Sequence, residues 1–315
     1  MYLAISGCLL GESIRYNGTH KRDPFIMDAL SQYADYVPFC PEHLAFGTPR
    51  DSIRLVNTKE GIIVQNNKTS EEITTQLIDA SSKEIDQIIQ KPLCGIILKS
   101  KSPSCGLGSA VIYRTNGYSE TKGDGIFAQM CKEKFPLLPI EEDGRLIDPW
   151  LRENFMMQVF AYHDFELFKA SSPTMQTLVA YHQSYKFMLQ SKNDTSYRKL
   201  GNIVGNHDKL DFQELLHAYE ILFKETIAHK SSIGKTRNVL EHMAGFLKDD
   251  MNAVEKKTLH EQIKDYHDKI IPLITPLSTI DMLAKAYDNR YLLSQKFLHP
   301  YPKELALRSD IRSGK

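Results

Sequence analysis

The chain has 315 residues, of which 42% are hydrophobic and 25% charged, and its 39 basic residues balance its 39 acidic residues. This composition indicates a folded globular protein of roughly two domains and argues against a disordered chain. A net charge of zero gives no overall electrostatic attraction to nucleic acid. Five cysteines, an odd and small number in a chain of this length, do not indicate a disulfide framework.

Nothing in the sequence indicates a membrane segment. The apolar runs are shorter than the roughly 20 residues that span a bilayer, and the N-terminus lacks a basic region followed by a cleavable apolar run. We therefore expect a cytoplasmic protein without a membrane partner, and no segment indicates a protein partner.

Short strands and helices alternate through the first half of the chain. In chain order the patterns predict a strand at 2–10, a helix at 24–36, a strand at 36–39, a hairpin at 53–66, a helix from Ser70 to about residue 90, a buried strand at 93–99, a helix at 126–135 and a strand at 137–140. This alternation predicts an α/β domain at 1–150, with an open, mostly parallel sheet and flanking helices. Ligands of such sheets bind beyond the carboxyl ends of the strands.

Helical periodicity replaces the strand pattern after Pro149. It recurs at 153–169, 173–189, 210–228, 236–247, 253–266 and 280–289. We predict a linker helix at 151–172 and an all-α helical domain at 173–315.

Three cysteines, Cys8, Cys40 and Cys105, each follow an apolar run and lie in a turn that contains glycine or proline. If those runs are neighbouring strands, the three thiols converge. Three thiolates suit an iron-sulfur cluster with one open iron. None of them forms a C-x-x-C pair, so three other interpretations stay open: buried hydrophobic cysteines, a redox cysteine, or a nucleophile paired with His20 or His43.

Polar residues accompany the three cysteine turns. Glu42, two residues after Cys40, suits a general base that activates water, although exposed glutamates are common. The loop before Cys105 carries the hydroxyl groups of Ser100, Ser102 and Ser104, which suit a substrate oxygen but also form ordinary turns. Basic residues near the same turns suit an anionic cluster or a phosphate-bearing substrate, and these are Arg15, Lys21, Arg22, Arg50, Lys99 and Lys101.

The motifs of the first half resemble the thiouracil desulfidase (TudS-like) family over residues 1–148. The matching motifs, in chain order, are SGCLLG at 6–11, RYNG at 15–18, CPE at 40–42, TPR at 48–50, KSKSPSCG at 99–106 and GDGIFA at 123–128. The resemblance implies a 4Fe-4S cluster with three cysteine ligands, Cys8, Cys40 and Cys105. Its fourth, open iron would capture the thiocarbonyl sulfur of a thiolated pyrimidine.

The resemblance also implies roles for the neighbouring residues. Glu42 would activate the attacking water, while Ser102 and Ser104 would position the base. Additional substrate contacts are predicted at Ser100, Lys101, Arg22 and Arg50. The reaction would replace sulfur by oxygen without net redox change.

The second half resembles the helical domain often fused to this family. Its motifs are LVAYH at 178–182, KFML at 186–189 and YRKLG at 197–201. The arrangement resembles bacterial desulfidases that return 4-thiouridine in tRNA to uridine, which implies tRNA as partner, with predicted contacts at Lys186, Arg198 and Lys199. Two alternatives remain: a desulfidase of free thiouracil or thionucleosides, and a cluster-bearing RNA-binding or regulatory protein without turnover.

Overall fold

The computed structural model describes residues 1–207 and 209–309. The chain divides into two compact units, the first ending at Ile147 and the second beginning at Asp148. Residue 208 and residues 310–315, which the sequence analysis assigned to the helical domain, lie outside the described residues. Within the described ranges, no helix has both the length and the apolar character that a bilayer crossing requires.

The first unit contains eight strands and four α-helices. The strands are β1 (Tyr2–Ser6), β2 (Asp35–Phe39), β3 (Ile53–Thr58), β4 (Gly61–Asn66), β5 (Leu93–Leu98), β6 (Ala110–Arg114), β7 (Ser119–Gly123) and β8 (Ile140–Glu142). The helices are α1 (Pro41–Phe46), α2 (Thr74–Ile88), α3 (Ile126–Lys134) and α4 (Asp143–Leu146). The predicted fold class, an α/β domain followed by a helical one, is confirmed.

One sheet carries the strands that precede the three cysteine turns. Its order is β2-β1-β5-β8, and all three pairings are parallel. The central strand β5 is buried along its whole length, as the apolar run at 93–98 predicts for a strand covered on both faces. Ser6 lies opposite Phe39, so β1 and β2 end side by side at the same edge of the sheet.

A second sheet, with the order β4-β3-β6-β7, consists of two antiparallel hairpins joined by the parallel pairing of β3 with β6. The predicted hairpin at 53–66 is its β3–β4 half. Leu55, Val64 and Leu77 pack in one apolar cluster, so α2 covers this sheet.

Two predicted helices differ from the structure. The segment at 24–36 forms a π-helical stretch, Phe25–Ala29, followed by a 3-10 turn, Leu30–Gln32. Ser70 does not begin α2, because its positive φ of 58° places it in a turn in which its N–H bonds to the carbonyl of Asn66. The helix starts at Thr74 instead.

The second unit is built from helices. They are α5 (Pro149–Ala170), α6 (Met175–Ser184), α7 (Lys186–Lys192), α8 (Asp194–Gly205), α9 (Phe212–Ala228), α10 (Ile233–Gly245), α11 (Ala253–His267), α12 (Ile274–Ala286) and α13 (Arg290–Leu293). Helix α5 spans most of the segment predicted as a linker helix, and its Ala161 and Phe165 lie in the core of this unit. The segment at 173–189 forms two helices rather than one, and α8 had no counterpart in the sequence analysis.

Candidate functional site: a three-thiol cavity

Cys8, Cys40 and Cys105, named here the cysteine triad, line one cavity of about 460 Å³. Cys8 lies just beyond β1, Cys40 directly follows β2, and Cys105 lies in the loop after β5. Because these strands are parallel neighbours, their carboxyl ends open on one edge of the sheet. The sheet order therefore brings together thiols that are far apart in sequence, as the sequence analysis expected.

Burial keeps the triad thiols protonated when they are free. Desolvation raises the pKa of each triad thiol to about 12. Electrostatic repulsion within the triad adds a smaller rise, because Cys40 raises the pKa of Cys8, Cys105 that of Cys40, and Cys8 that of Cys105. A neutral thiol is a poor nucleophile, whereas a coordinating metal deprotonates it outright. The environment thus argues against the lone-nucleophile interpretation. Neither His20 nor His43 is among the residues that line the cavity.

Glu42 is the centre of a hydrogen-bond network on the cavity wall. It lies in the first turn of α1, and its Oε1 accepts the hydroxyl protons of Ser102 at 2.9 Å and Ser104 at 2.7 Å. The two hydroxyl oxygens lie 2.9 Å apart, and Ser104 Oγ is 3.4 Å from Cys105 Sγ. A carboxylate, two hydroxyls and a triad thiol are therefore connected in one chain of contacts.

Arg50 fixes the other oxygen of Glu42. Its Nη2 donates to Glu42 Oε2 at 2.9 Å, and the two side chains are 5% and 14% exposed. The Nη1 atom of Arg50 donates to the carbonyl groups of Ile14 at 2.9 Å and Gly47 at 3.0 Å. This guanidinium group orients the carboxylate and also holds the loop after β1 against the cavity.

The loop that carries Cys105 is held by the start of α3. Gly125 N–H donates to the carbonyl of Gly106, and the amides of Ile126 and Ala128 donate to the carbonyls of Pro103 and Ser104. A Cβ atom on Gly125 would lie 2.5 Å from the Ser104 carbonyl group, so only glycine permits this approach. The GDGIFA motif therefore holds the Cys105 loop in place through these backbone hydrogen bonds.

Two acidic residues that the sequence analysis did not single out hold the backbone of the cavity. The buried carboxylate of Glu84 accepts the N–H of Cys40 at 2.9 Å. The carboxylate of Asp143 accepts the N–H of Ser100 at 2.7 Å. Each had a signal in the sequence: Glu84 lies on the apolar stripe of α2, and Asp143 follows a strand directly.

The other predicted site residues fall into two groups. The cavity lining includes Ser100, Lys101, Ser102, Ser104 and Arg50. Arg22 is not among the lining residues, and its exposed side chain pairs with Asp28.

The predicted tRNA contacts lie in the second unit. Arg198, with a side chain 77% exposed, and the exposed Lys199 are neighbours on α8. The ammonium of Lys186 lies 5.2 Å from the ring centre of Phe246 and 6.0 Å from that of Tyr291.

The donor set of the cavity, three thiols beside basic side chains, fits a cluster held by cysteine thiolates. Among residues 1–207 and 209–309, no three metal-ligating side chains lie close enough together to hold one metal ion. A cubane cluster does not require that approach, because each thiolate binds a different iron. The lining also carries five basic side chains against one acidic side chain, which suits the negative charge of three thiolates.

The cavity and its sheet define a class of protein in which an α/β domain collects three thiols at the ends of parallel strands. Residues 3–143 match the family model described as 2-thiouracil desulfurase. The chain belongs to this family, a family of desulfidases, through its first unit. Residues 186–302 match a second model, described as a protein of unknown function (DUF1722).

Known proteins are similar to parts of the chain. The uncharacterized protein YbbK of Bacillus subtilis (strain 168) is 30% identical over 138 residues, which are 42% of this chain and 89% of YbbK. The uncharacterized protein YbgA of Escherichia coli (strain K12) is 25% identical over 157 residues, which are 50% of this chain and 93% of YbgA. A solved structure described as the 4Fe-4S-dependent thiouracil desulfidase TudS is 25% identical, covers 47% of this chain and 93% of its own, and has a TM-score of 0.39.

Proposed function

We propose that the protein removes sulfur from 4-thiouridine in tRNA, giving uridine and sulfide, with a 4Fe-4S cluster bound by the cysteine triad. Membership of the 2-thiouracil desulfurase family supports desulfuration. The observation that carries the proposal is the meeting of three thiols and the Glu42 network in one cavity. Buried thiols alone would not need an oriented carboxylate beside them.

Cys8, Cys40 and Cys105 would hold the cluster and leave one iron without a protein ligand. When bound, such a cluster supplies a Lewis-acidic iron with affinity for a soft thiocarbonyl sulfur. The basic residues that line the cavity would offset the charge of the thiolates.

Glu42 would act as the general base. Its carboxylate lines the cavity in a single orientation, because Arg50 holds one oxygen and two serine hydroxyls hold the other. A water molecule beside this carboxylate would lose one proton to it while attacking the thiocarbonyl carbon. The overall reaction converts a thiocarbonyl group and water into a carbonyl group and hydrogen sulfide, so no external oxidant or reductant is consumed.

Ser102 and Ser104 would keep the base in position. The hydroxyl of Ser102 also accepts the amides of Ser104 at 3.2 Å and Cys105 at 3.1 Å, so it ties the carboxylate to the loop of a triad cysteine. We expect these hydroxyls to align the carboxylate with the substrate carbon and to contact the pyrimidine ring.

The second unit would bind the tRNA. Arg198 and Lys199 are exposed on one helix and would contact phosphate groups, which dominate the affinity for nucleic acid. Lys186 lies near the rings of Phe246 and Tyr291, which stack on each other with centroids 4.8 Å apart. Such a combination of cation and aromatic rings suits an unpaired base.

Desulfuration of free thiouracil or a thionucleoside is the second candidate. The cavity volume of about 460 Å³ supports it, because this volume suits a small ligand of about one nucleobase or nucleoside.

One experiment separates these functions. The protein is reconstituted anaerobically with iron and sulfide and incubated in parallel with thiolated total tRNA, 4-thiouridine and 2-thiouracil. Sulfide release and nucleoside analysis report the reaction. Loss of 4-thiouridine from tRNA, with rates on the small substrates far lower, is the expected result. Preference for the small substrates would support the second candidate, and cluster incorporation without turnover on any substrate would support a binding or regulatory protein.

A further inference from the structure

The reaction outlined above assigns no chemical step to an ion pair at the end of the parallel sheet. Lys99 directly follows β5 and Asp143 directly follows β8, and these strands are parallel neighbours. Lys99 Nζ lies 2.8 Å from Asp143 Oδ2. The two side chains are 20% and 15% exposed, and Lys99 lines the three-thiol cavity.

The ammonium of Lys99 has two short contacts and one long one. It donates to Asp143 Oδ2 at 2.8 Å, to Ser100 Oγ at 2.9 Å and to the Ser100 carbonyl at 3.4 Å. An ammonium group has three donors, so the donor in the long contact can turn to a ligand at little cost. Lys99 and Cys8 line the same cavity, so the cation faces the space that the triad encloses.

Asp143 holds both the ammonium of Lys99 and the backbone of Ser100. While Oδ2 accepts from Lys99, Oδ1 accepts the N–H of Ser100 at 2.7 Å. The backbone N–H of Lys99 in turn donates to Ser6 Oγ at 3.0 Å. With its backbone and its ammonium both held, Lys99 presents a preorganised positive charge, and such charges stabilise developing anions in sites shielded from water.

We propose that Lys99 stabilises the negative charge that develops on the departing sulfur, and that Asp143 is the positioning residue that aims it. This inference rests on the proposed desulfuration. The water oxygen bonds to the thiocarbonyl carbon while one pair of the C=S double bond moves to sulfur, and the remaining C–S bond then breaks with its pair moving to sulfur as the C=O bond forms. One proton of the attacking water goes to Glu42 and then to solvent, and the second goes to the sulfur, which leaves as hydrosulfide. Lys99 keeps its own proton throughout.

The test compares Lys99→Met, Lys99→Arg and Asp143→Asn in the anaerobically reconstituted protein. In Asp143→Asn the amide oxygen can still accept the N–H of Ser100, but the NH2 group then faces Lys99. The ammonium of Lys99 therefore loses the carboxylate oxygen that holds it. Lys91→Met is the matched control, because Lys91 is an exposed lysine just before β5, outside the residues that line the cavity. The measurements are kcat and KM for sulfide release, iron per chain, and the melting temperature.

Lys99→Met should lower kcat by about 10²-fold, the usual effect of removing one preorganised donor. KM and iron per chain should stay near the wild-type values, and the melting temperature shows whether the variant remains folded. Lys99→Arg should recover part of the rate, Asp143→Asn should fall between wild type and Lys99→Met, and Lys91→Met should match the wild type.

If the wild type is active and Lys99→Met has the same kcat, the role of Lys99 is overturned while the proposed function stands. A loss of iron that accounts for the loss of rate overturns it as well, because Lys99 would then serve cluster retention. A wild-type protein that incorporates the cluster but releases no sulfide overturns the proposed function and this inference together.

Discussion

Replacing Glu42 by glutamine removes the charge of the carboxylate and keeps the length of the side chain. In the wild type one carboxylate oxygen accepts two serine hydroxyls and the other accepts Arg50. An amide has only one acceptor oxygen, so it cannot serve both sides. We expect this oxygen to face Arg50, which can only donate, and the hydroxyl of Ser104 to turn and accept from the amide. Ser102 Oγ already accepts two backbone amides, so its hydroxyl proton turns away from the glutamine instead. The packing then survives while the proton acceptor is lost.

Both stability and rate should fall. Glutamine leaves the guanidinium of Arg50 without its counter-charge in a site where the two side chains are 5% and 14% exposed. Removing one partner of a buried ion pair costs about 3–5 kcal/mol. A folded domain has about 5–15 kcal/mol of stability, so the melting temperature is measured alongside the rate. Loss of a general base should lower kcat by about 10²–10⁴-fold, or about 3–5 kcal/mol.

The assay measures sulfide release and iron per chain in the reconstituted protein. Glu60→Gln is the control, because Glu60 is an exposed glutamate at the β3–β4 turn and undergoes the same change in charge. The variant at Glu42 should retain its iron and lose its rate, while the control should keep both. A Glu42→Gln protein as fast as the wild type would refute the assignment of the base. A parallel loss of iron and rate would instead assign Glu42 to cluster retention.

Three further predictions concern the cluster, the helical unit and tRNA. Alanine at any member of the cysteine triad should remove most of the iron of the reconstituted protein, whereas Cys131→Ala, at a buried thiol outside the cavity lining, should not; equal iron in all variants would contradict this. Burial lowers the pKa of Lys192 to about 7, against about 10.4 in an unfolded chain. Between about pH 7 and 10.4 the unfolded state binds more protons than the folded state, so the free energy of unfolding should rise with pH. Urea titrations at several pH values should show a smaller rise for Lys192→Met than for the wild type. An equal dependence of the free energy of unfolding on pH in both proteins would disprove this prediction. Arg198→Ala and Lys199→Ala should each reduce the slope of the logarithm of tRNA affinity against the logarithm of salt concentration by about 1; an unchanged slope would exclude phosphate contacts at these positions.

Most parts of the fold that the sequence predicted have a strong apolar pattern, but β6, whose sequence is AVIYR, was missed despite its pattern. Strand β5 is apolar throughout and buried along its length. Strand β7 was missed because its sequence, SETKG, is polar and lies largely exposed, so it has no alternation to detect. Ser70 was wrong as a helix start because two acidic residues after a serine also occur in turns. Its positive φ is a property of the backbone that the sequence pattern does not carry.

The candidate site was predictable where a functional residue type directly follows a strand. Cys40 meets that condition, and Glu42 lies two residues later in the first turn of α1; both line the cavity. The contacts of Arg50 with Glu42 and with the Ile14 carbonyl were not predictable, because Ile14 is distant in sequence and nothing in the pattern pairs Arg50 with Glu42. Arg22 was grouped with the site for its charge and its closeness in sequence, but its partner is Asp28.

Sheet topology, rather than spacing along the chain, brings the triad together. In a C-x-x-C motif the chain itself keeps two thiols close, whereas here dozens of residues separate each cysteine from the next. The strand before Cys8 lies between the strands before Cys40 and Cys105, and its register sets Ser6 opposite Phe39 and Ile5 opposite Ile97. Because hydrogen-bonded registers set the spacing of the strand ends, the connecting segments can differ in length without moving the thiols apart. For such a site the loop that follows each strand is therefore more informative than the number of residues between cysteines.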